Sequence, residues 1–455
     1  MKLQSLKLYD FRNYAAAGVQ LHPGVNLIVG ENAQGKTNLL EAVFYLSTGR
    51  SFRTARNQEL IRFGAEFADL GCELFSGGRE QSIRAVLFSG RKPRQLYIGG
   101  VKQRSATALP GVLTTVLFCP DDLLVLKSGA AGRRKLVDTA LCQLRPGYAQ
   151  ALGEYQKLYD SKSRILKDYN DRPSLLEPLP EFNYRMAQVG AILISYRARY
   201  LRELSAQAGQ FHAEFSGGKE TLRLRYQTVS TVTDPFAEKK TIFQQLLDHQ
   251  QSHYRAELES GQCLSGPHKD DFEAELDGLS VKAFGSQGQT RTAAISLKLA
   301  ERELFRRDTG EEPVLLLDDV LSELDARRQD FVLNQIRSGP AFRHRQADPD
   351  RKRAGTGGSG MYLNIGGDFS VRGETIVGVF DLDNTSCSKW TRKFLAEAQK
   401  AGAVVEATDE LPKSFLVAAE YGQTRVYLTK YNAAILQRRL QEPQRSPIPG
   451  KGEKL

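Results

Sequence analysis

Val25-Asn26-Leu27-Ile28-Val29-Gly30-Glu31-Asn32-Ala33-Gln34-Gly35-Lys36-Thr37-Asn38-Leu39-Leu40-Glu41 decides how the rest of the chain is read. An apolar run ends at Gly30, a Gly-x-x-x-x-Gly-Lys-Thr turn follows, and a helical pattern begins. That is the strand, glycine turn and helix N-terminus of a P-loop. The glycines let the backbone curl so that its N–H groups face phosphate oxygens. The following helix adds the positive end of its dipole. In this pattern Gly30 to Asn38 cradle a nucleotide, Lys36 reaches the β- and γ-phosphates, and the Thr37 hydroxyl holds Mg²⁺.

The partner of a P-loop is an acid at the end of a neighbouring strand. Val314-Leu315-Leu316-Leu317 reads as a buried parallel strand and runs into Asp318-Asp319. Asp318 is placed to hold the Mg²⁺ shell, and Asp319 to orient the attacking water as a catalytic group beside Lys36. Upstream, Ser286-Gln287-Gly288-Gln289 opens a helix that continues through Leu297, Leu299 and Leu304. A Ser/Gly helix N-terminus is a second anion site. Ser322-Glu323-Leu324-Asp325 follows the paired acids directly.

Between these motifs the texture changes twice. Residues 67–103 alternate in short strands broken by Gly-Gly and Gly-Arg-Lys-Pro turns. From about 132 to 215 glycine is sparse, and three helical patterns (Arg133–Leu144, Tyr148–Lys167, Phe182–Phe211) suggest an inserted arm. Residues 221–228 alternate as a strand, Phe243–Leu258 is helical, and Asp271–Leu276 with Leu279–Phe284 reads as a hairpin around Asp277-Gly278.

The 455 residues are 41% hydrophobic and 25% charged, an ordinary globular balance that accommodates several domains. No apolar run is long enough for a membrane span and no signal-peptide core is present, so no membrane partner is expected. The five cysteines show no metal spacing and read as reduced thiols of a cytoplasmic protein. The net charge of +10 is spread along the chain, with 45 Lys/Arg against 40 Asp/Glu in residues 1–338. That balance favours a polyanion partner weakly and excludes little.

The order of P-loop, long insertion, Ser-x-Gly helix, paired acids and Ser-Glu-Leu-Asp resembles the ABC-type heads of the SMC and RecF group. Over residues 1–337 the chain is most similar to the RecF family. Leu8-Tyr9-Asp10-Phe11-Arg12-Asn13-Tyr14, Gly30 to Asn38 and Gly49-Arg50-Ser51-Phe52-Arg53 carry the likeness. So do Phe118-Cys119-Pro120-Asp121-Asp122-Leu123 and Arg133-Arg134-Lys135-Leu136-Val137-Asp138. Ser265-Gly266-Pro267-His268-Lys269-Asp270-Asp271 and Ser286-Gln287-Gly288-Gln289 complete it. Lys269 stands where that family usually has Arg, which keeps the charge and loses a planar fork.

The resemblance implies an α/β fold: an ABC-type P-loop head with an inserted helical arm. Its parts are an N-terminal head portion (1–131), an arm (132–215) and a C-terminal head portion (216–337). It also implies slow ATP hydrolysis, with ATP and Mg²⁺ as cofactors. Ser286 to Gln289, the signature, would cover the nucleotide held by a second head, in an ATP-dependent homodimer on single-stranded and gapped duplex DNA. RecO- and RecR-like proteins would be partners, in replication, recombinational gap repair and the SOS response. His268 is expected near the nucleotide or at the arm junction.

After Arg337 such a head needs one more core strand. Residues 338–360 have no apolar run and read instead as a basic, Gly-rich linker, which leaves His344, a candidate switch residue, without a strand to present it. Met361 opens a small α+β domain (361–439) with strands at Met361–Gly367, Ile376–Asp381, Val404–Glu406, Ser414–Val417 and Arg425–Thr429. A helix is expected over Ser388–Ala401, with Trp390 on its apolar face. This part resembles the RemA/RemB family of matrix regulators, through Gly378 to Ser386 and Leu411-Pro412-Lys413-Ser414-Phe415. Residues 440–455 read as a disordered tail. A new domain after a missing strand suggests two joined reading frames. It also raises two other functions: a nucleotide-gated DNA scaffold with little hydrolysis, and a transcriptional regulator governed by the C-terminal domain.

Overall fold

The computed structural model describes residues 1–30, 34–335 and 341–346. Beyond these it describes 362–366, 369–372, 376–382, 395–396, 398–400, 402–408, 410–420, 423–433 and 435–436. The chain divides into two units, Met1–Gln346 and Ala347–Leu455.

The first unit opens with an antiparallel lobe. Strands β1 (Lys2–Phe11) and β2 (Tyr14–Gln20) form a hairpin, β3 (Val25–Gly30) leads to the phosphate loop, and helix α1 (Lys36–Thr48) follows. β4 (Phe67–Ser76), β5 (Arg79–Phe88), β6 (Gln95–Ile98) and β7 (Val101–Gln103) complete a sheet of order β2-β1-β4-β5-β6-β7. Period-two patterning explains it: Ala68, Leu70, Cys72 and Leu74 of β4 are all buried, as are Leu6 and Leu8 of β1. Leu39, Leu40, Val43, Phe44 and Leu46 of α1 join the same core. Each such side chain contributes roughly 1.5–3 kcal/mol on burial.

β8 (Thr115–Phe118) belongs to a second, parallel sheet. Helices α2 (Ala130–Leu144), α3 (Pro146–Asp168), α4 (Leu179–Ser216) and, after β9 (Leu222–Gln227), α5 (Lys239–Ser260) make the arm and its base. α4 packs on α3, on α5 and on the later helix Gln287–Thr309. β10 (Asp271–Leu276) pairs with β9 and with the two-residue β11 (Leu279–Ser280). The expected strand Leu279–Phe284 is corrected here: after Ser280 the chain turns into the short helix α6 (Val281–Phe284). The hairpin turn at Asp277-Gly278 is present, with Asp277 and Gly278 both at positive φ, but the returning strand pairs for only two residues.

α7 (Gln287–Thr309) leads to β12 (Val314–Leu317), α8 (Ala326–Gln335) and β13 (Ala341–Gln346). The parallel sheet has the order β3-β13-β12-β8. β13 therefore corrects the expectation of a linker over 341–346 and of a head lacking its last strand; the rest of 338–360 lies outside the described residues. Leu315 to Leu317 pair with Ala341 to Arg343, and Val25 to Gly30 pair with Ala341 to Gln346. His344 lies level with Ile28, and Gln346 with Gly30. A strand with a neighbour on each side is held by backbone N–H and C=O groups that every non-proline residue carries. A search for apolar runs does not see them.

In the second unit β14 (Tyr362–Gly366) and β15 (Phe369–Arg372) form an antiparallel hairpin. β16 (Ile376–Asp381), β17 (Val404–Glu406), β18 (Ser414–Glu420) and β19 (Gln423–Thr429) form a sheet of order β16-β18-β19-β17. Leu416, Ala418 and Tyr427 bury one face. Within the expected helix Ser388–Ala401, residues 395–396 and 398–400 are helical. Trp390 and the 440–455 tail lie outside the described residues.

Candidate functional site

Gly35 is the hinge of the phosphate loop. Its φ is +98°, and a Cβ there would sit 2.5 Å from Asn13 Oδ1. Its carbonyl accepts from Tyr14 OH at 3.2 Å. Asn38 Nδ2 donates to Asn13 Oδ1 at 2.9 Å, and Arg53 Nη1 donates to Asn38 Oδ1 at 2.8 Å. Asn13 and Tyr14 thus hold the loop from one side, and Arg53 braces Asn38 from the other. Lys36 is 6% exposed, at the first position of α1. Glu31, Asn32 and Ala33 lie outside the described residues; Gln34 is exposed.

Thr37 and the acid strand meet. Thr37 Oγ1 donates to Asp318 Oδ1 at 2.8 Å. Asp318 follows the fully buried β12, and its N–H donates to Phe118 O of β8 at 2.9 Å. Asp319 turns left-handed at φ +52°, a conformation that short acidic side chains tolerate. Its carbonyl accepts from Ser322 N at 3.2 Å and from Ser322 Oγ at 2.6 Å. A hydroxyl and a carboxylate side by side are hard oxygen donors suited to Mg²⁺, which completes its shell with water and phosphate oxygens. No cluster of three or more His, Cys, Asp and Glu suited to a metal exists among the described residues. Such an all-protein cage is not what Mg²⁺ on a nucleotide requires.

Glu41 is the residue that pattern reading missed. Its carboxylate is fully buried on α1. Arg12 Nε and Nη2 grip its two oxygens at 2.9 and 2.8 Å, Ser51 Oγ donates to one of them, and Arg53 Nη1 stands 3.6 Å away. The available signal was a carboxylate amid the apolar face of a helix, which demands a cation.

The signature forms a separate group. Ser286 caps α7: its Oγ accepts from Gln289 N at 3.2 Å, while Ser286 N donates to Gln289 Oε1 at 3.0 Å. Gln289 Nε2 donates to Glu220 Oε1 at 2.8 Å. That bond, with His212 on the other oxygen, holds the Glu220 carboxyl below its usual range. Arg328 of α8 donates to Gly288 O and to Thr292 Oγ1, both at 3.0 Å, and pairs with Asp325. The signature and the Ser322–Asp325 loop are therefore one body. Gln287 is exposed at the first turn.

The Gly-Pro-His-Lys-Asp-Asp segment sits at the arm junction. Arg197 of α4 donates to Asp270 Oδ2 at 2.9 Å and Pro267 O at 2.6 Å, and pairs with Asp138. Arg133 holds Asp271 through two bonds of 2.7 Å. His268 meets Tyr155 OH at 2.8 Å through Nδ1 and Cys263 O at 2.9 Å through Nε2. Burial holds its pKa down at about 4, so the ring is neutral at neutral pH; with Nε2–H donating to the carbonyl, Nδ1 is left to accept from Tyr155 OH. Lys269 is exposed, so its departure from Arg falls on a solvated side chain.

The family described as the RecF/RecN/SMC N terminal domain matches residues 2–341. The DNA replication and repair protein RecF of Acetivibrio thermocellus is 36% identical over 345 residues, 75% of this chain and 92% of that protein. Its counterpart from Staphylococcus haemolyticus is 36% identical over 340 residues, 74% of this chain and 90% of the other. Two solved structures of the recombination mediator protein RecF in the RecFOR pathway, with ATPrS and with ATP, superpose with TM-scores of 0.72 at 32% identity. Both cover 77% of this chain; 94% and 93% of the solved chains are covered.

Proposed function

This chain belongs to the RecF/RecN/SMC N-terminal domain family, and from that premise we propose that it is an ATP-dependent DNA-binding protein of RecF type. Its work is in DNA replication and recombinational repair. The observation that carries this reading is the 2.8 Å bond between Thr37 and Asp318, two residues 281 positions apart. It assembles the phosphate loop and the acid strand into one site.

In this reading Gly30 to Asn38 wrap the phosphates with backbone N–H groups, and Lys36 neutralises their outer charge. Thr37 and Asp318 hold Mg²⁺, which when bound neutralises charge on the β- and γ-phosphate oxygens. Asp319 orients the attacking water. Ser286, Gln287, Gly288 and Gln289 offer a capped helix N-terminus to the nucleotide of a second copy, so ATP clasps two heads over DNA. RecO- and RecR-like partners, the SOS response and a cytoplasmic setting belong to the same reading. Among the described residues no helix is long and apolar enough to cross a membrane.

The scaffold alternative without hydrolysis rested on a missing core strand. With β13 between β3 and β12, that ground is gone. For residues 361–439 we propose a RemA/RemB-like domain joined to the head, supported by the likeness of Gly378 to Ser386 and of Leu411 to Phe415.

Phosphate release on gapped DNA tests the ATPase reading, comparing the unaltered chain with Lys36→Ala and Asp319→Asn. Both variants are expected to lose at least tenfold; equal release in all three sinks it. Light scattering tests the clasp: Ser286→Arg is expected to abolish ATP-dependent dimerisation and spare ATP binding.

A further inference from the structure

Away from the phosphate loop, three adjoining cavities share lining residues along the flank of the head. The first, about 310 Å³, lies by the turn after β5 and is lined by Arg56, Lys92 and Arg94. It shares Asn57 and Arg94 with a second of about 550 Å³, lined by Arg50, Arg53 and Lys135. That one shares Arg50, Ser51 and Lys135 with a third of about 370 Å³, between α1, α2 and α3. The result is a continuous groove from the antiparallel lobe to the base of the arm.

Its charge is one-sided. Among the described residues no carboxylate lines the first two cavities. Among the described residues the third has only Asp138, which Arg197 already holds. Arg53 leans on Glu41 and Arg56 on Glu59, whereas Arg94, Arg134 and Lys135 are held by neutral acceptors. Arg94 Nη1 donates to Tyr45 OH at 2.9 Å and to Gly49 O. Lys135 Nζ donates to Phe52 O at 3.1 Å, and Arg134 to Asp270 O at 2.7 Å. Carbonyl and hydroxyl partners orient a cation without cancelling it. Arg50, Lys92, Arg94 and Lys135 pair with no carboxylate among the described residues. Like charges lined along a groove repel one another, and a chain of phosphates relieves that repulsion with release of counterions.

The third cavity has a different character. Phe44, Ala106, Leu109 and Leu152 supply apolar wall, with Thr107 and Gln156 as polar groups among the lining. It opens off the cationic stretch at Arg50, Ser51 and Lys135. A flat ring with polar edges suits such a space. A base can enter it cheaply only when unpaired, because a base in a duplex must first be unstacked.

We propose that this groove seats an unpaired nucleic-acid strand, with its phosphates on Arg50, Arg94 and Lys135 and one base turned into the cavity between α1, α2 and α3. The inference rests on the DNA-binding reading above and assigns the surface that does it.

The test is fluorescence anisotropy of the full chain with Mg²⁺ and a non-hydrolysable ATP analogue, titrated into labelled oligo(dT) and a labelled blunt duplex over a range of salt. Each phosphate contact on a single strand contributes about 0.7 to the slope of log K against log salt. The double variant Arg50→Ala/Lys135→Ala is therefore expected to lose about 1.4 from that slope on oligo(dT), with melting temperature and ATP-analogue affinity unchanged. Ala131→Trp adds a ring at the cavity and removes no charge. It is expected to weaken oligo(dT) binding at an unchanged slope.

An unaltered slope in the double variant overturns the groove while leaving ATP-dependent DNA binding in place. Full oligo(dT) affinity in Ala131→Trp overturns the seat for the base. A loss confined to the duplex overturns the single-strand assignment. If the unaltered chain binds neither DNA, the groove and the proposed function fall together.

Discussion

At Gly35 the phosphate loop has no tolerance for a side chain. The +98° φ is costly for any L residue, and an added Cβ meets Asn13 Oδ1 at 2.5 Å. Gly35→Ala is expected to cost on the order of 1–3 kcal/mol from the backbone alone. It also unseats Asn13, which positions Asn38. A fluorescent ATP analogue should bind at least tenfold more weakly to this variant; unchanged affinity would show that the clamp is dispensable. His268 makes a pH prediction. Burial keeps it neutral to about pH 4 in the native state, against an ordinary value of 6.5. Below pH 6.5 the unfolded chain binds a proton that the native chain refuses, so stability falls as pH drops from 6.5 towards 4. The loss amounts to roughly 3 kcal/mol at the lower end, at 1.36 kcal/mol per unit. His249 shifts in the same direction, so the comparison is with His268→Gln. The stability difference between the two proteins, from urea midpoints, should shrink across that window; a constant difference would remove His268 from the balance.

Between the signature helix and the Ser322–Asp325 loop, one guanidinium carries the connection. Arg328 touches Gly288 O, Thr292 Oγ1 and Asp325 from the first turn of α8. Arg328→Ala removes two charge-assisted bonds on the signature side, about 1.5–3 kcal/mol each at most, and frees the helix cap from the loop beside Asp319. ATP-dependent dimerisation by light scattering should weaken at least tenfold while monomeric ATP binding stays intact. Equal loss of both would mean that the residue only supports the fold. How much of such an arrangement sequence can reveal depends on the interaction. The strand, Gly35 turn and helix around Lys36 and Thr37, and the buried strand Val314–Leu317 running into Asp318, were legible, because a glycine turn and an acid at a buried strand end leave fixed residue types in a fixed order. The capping pair Ser286 and Gln289 is legible for the same local reason. Arg328 to Gly288 is not, since a long-range bond to a carbonyl leaves no mark on residue type. The Arg12–Glu41–Ser51 contact was half legible: the buried acid shows in the helical pattern, its partner does not. Leu279–Phe284 misled because apolar residues around a hairpin turn do not say how far the second strand pairs.

On the scale of the whole molecule the decisive element is β13, which pattern reading had assigned to a linker. Its six residues lie between the phosphate-loop strand and the acid strand and pair with both. Without β13 the sheet order β3-β13-β12-β8 separates into β3 on one side and β12-β8 on the other. Two rows of backbone groups then lose their partners, each costing about 1–3 kcal/mol where it stays buried. The contact that unites the site, Thr37 to Asp318, spans the same gap, since Thr37 follows β3 and Asp318 follows β12. Residues 347–455 form a separate unit with its own buried clusters. A chain ending at Gln346 is therefore expected to melt as one cooperative transition and to bind the ATP analogue like the full chain. A chain ending at Gln335 keeps every P-loop, signature and acid residue, yet is expected to lose nucleotide binding and to melt many degrees lower. Circular dichroism melts and analogue titrations of the two truncations decide the matter. Equal behaviour would mean that the head stands without its central strand, and that a linker after Arg337 was the right reading.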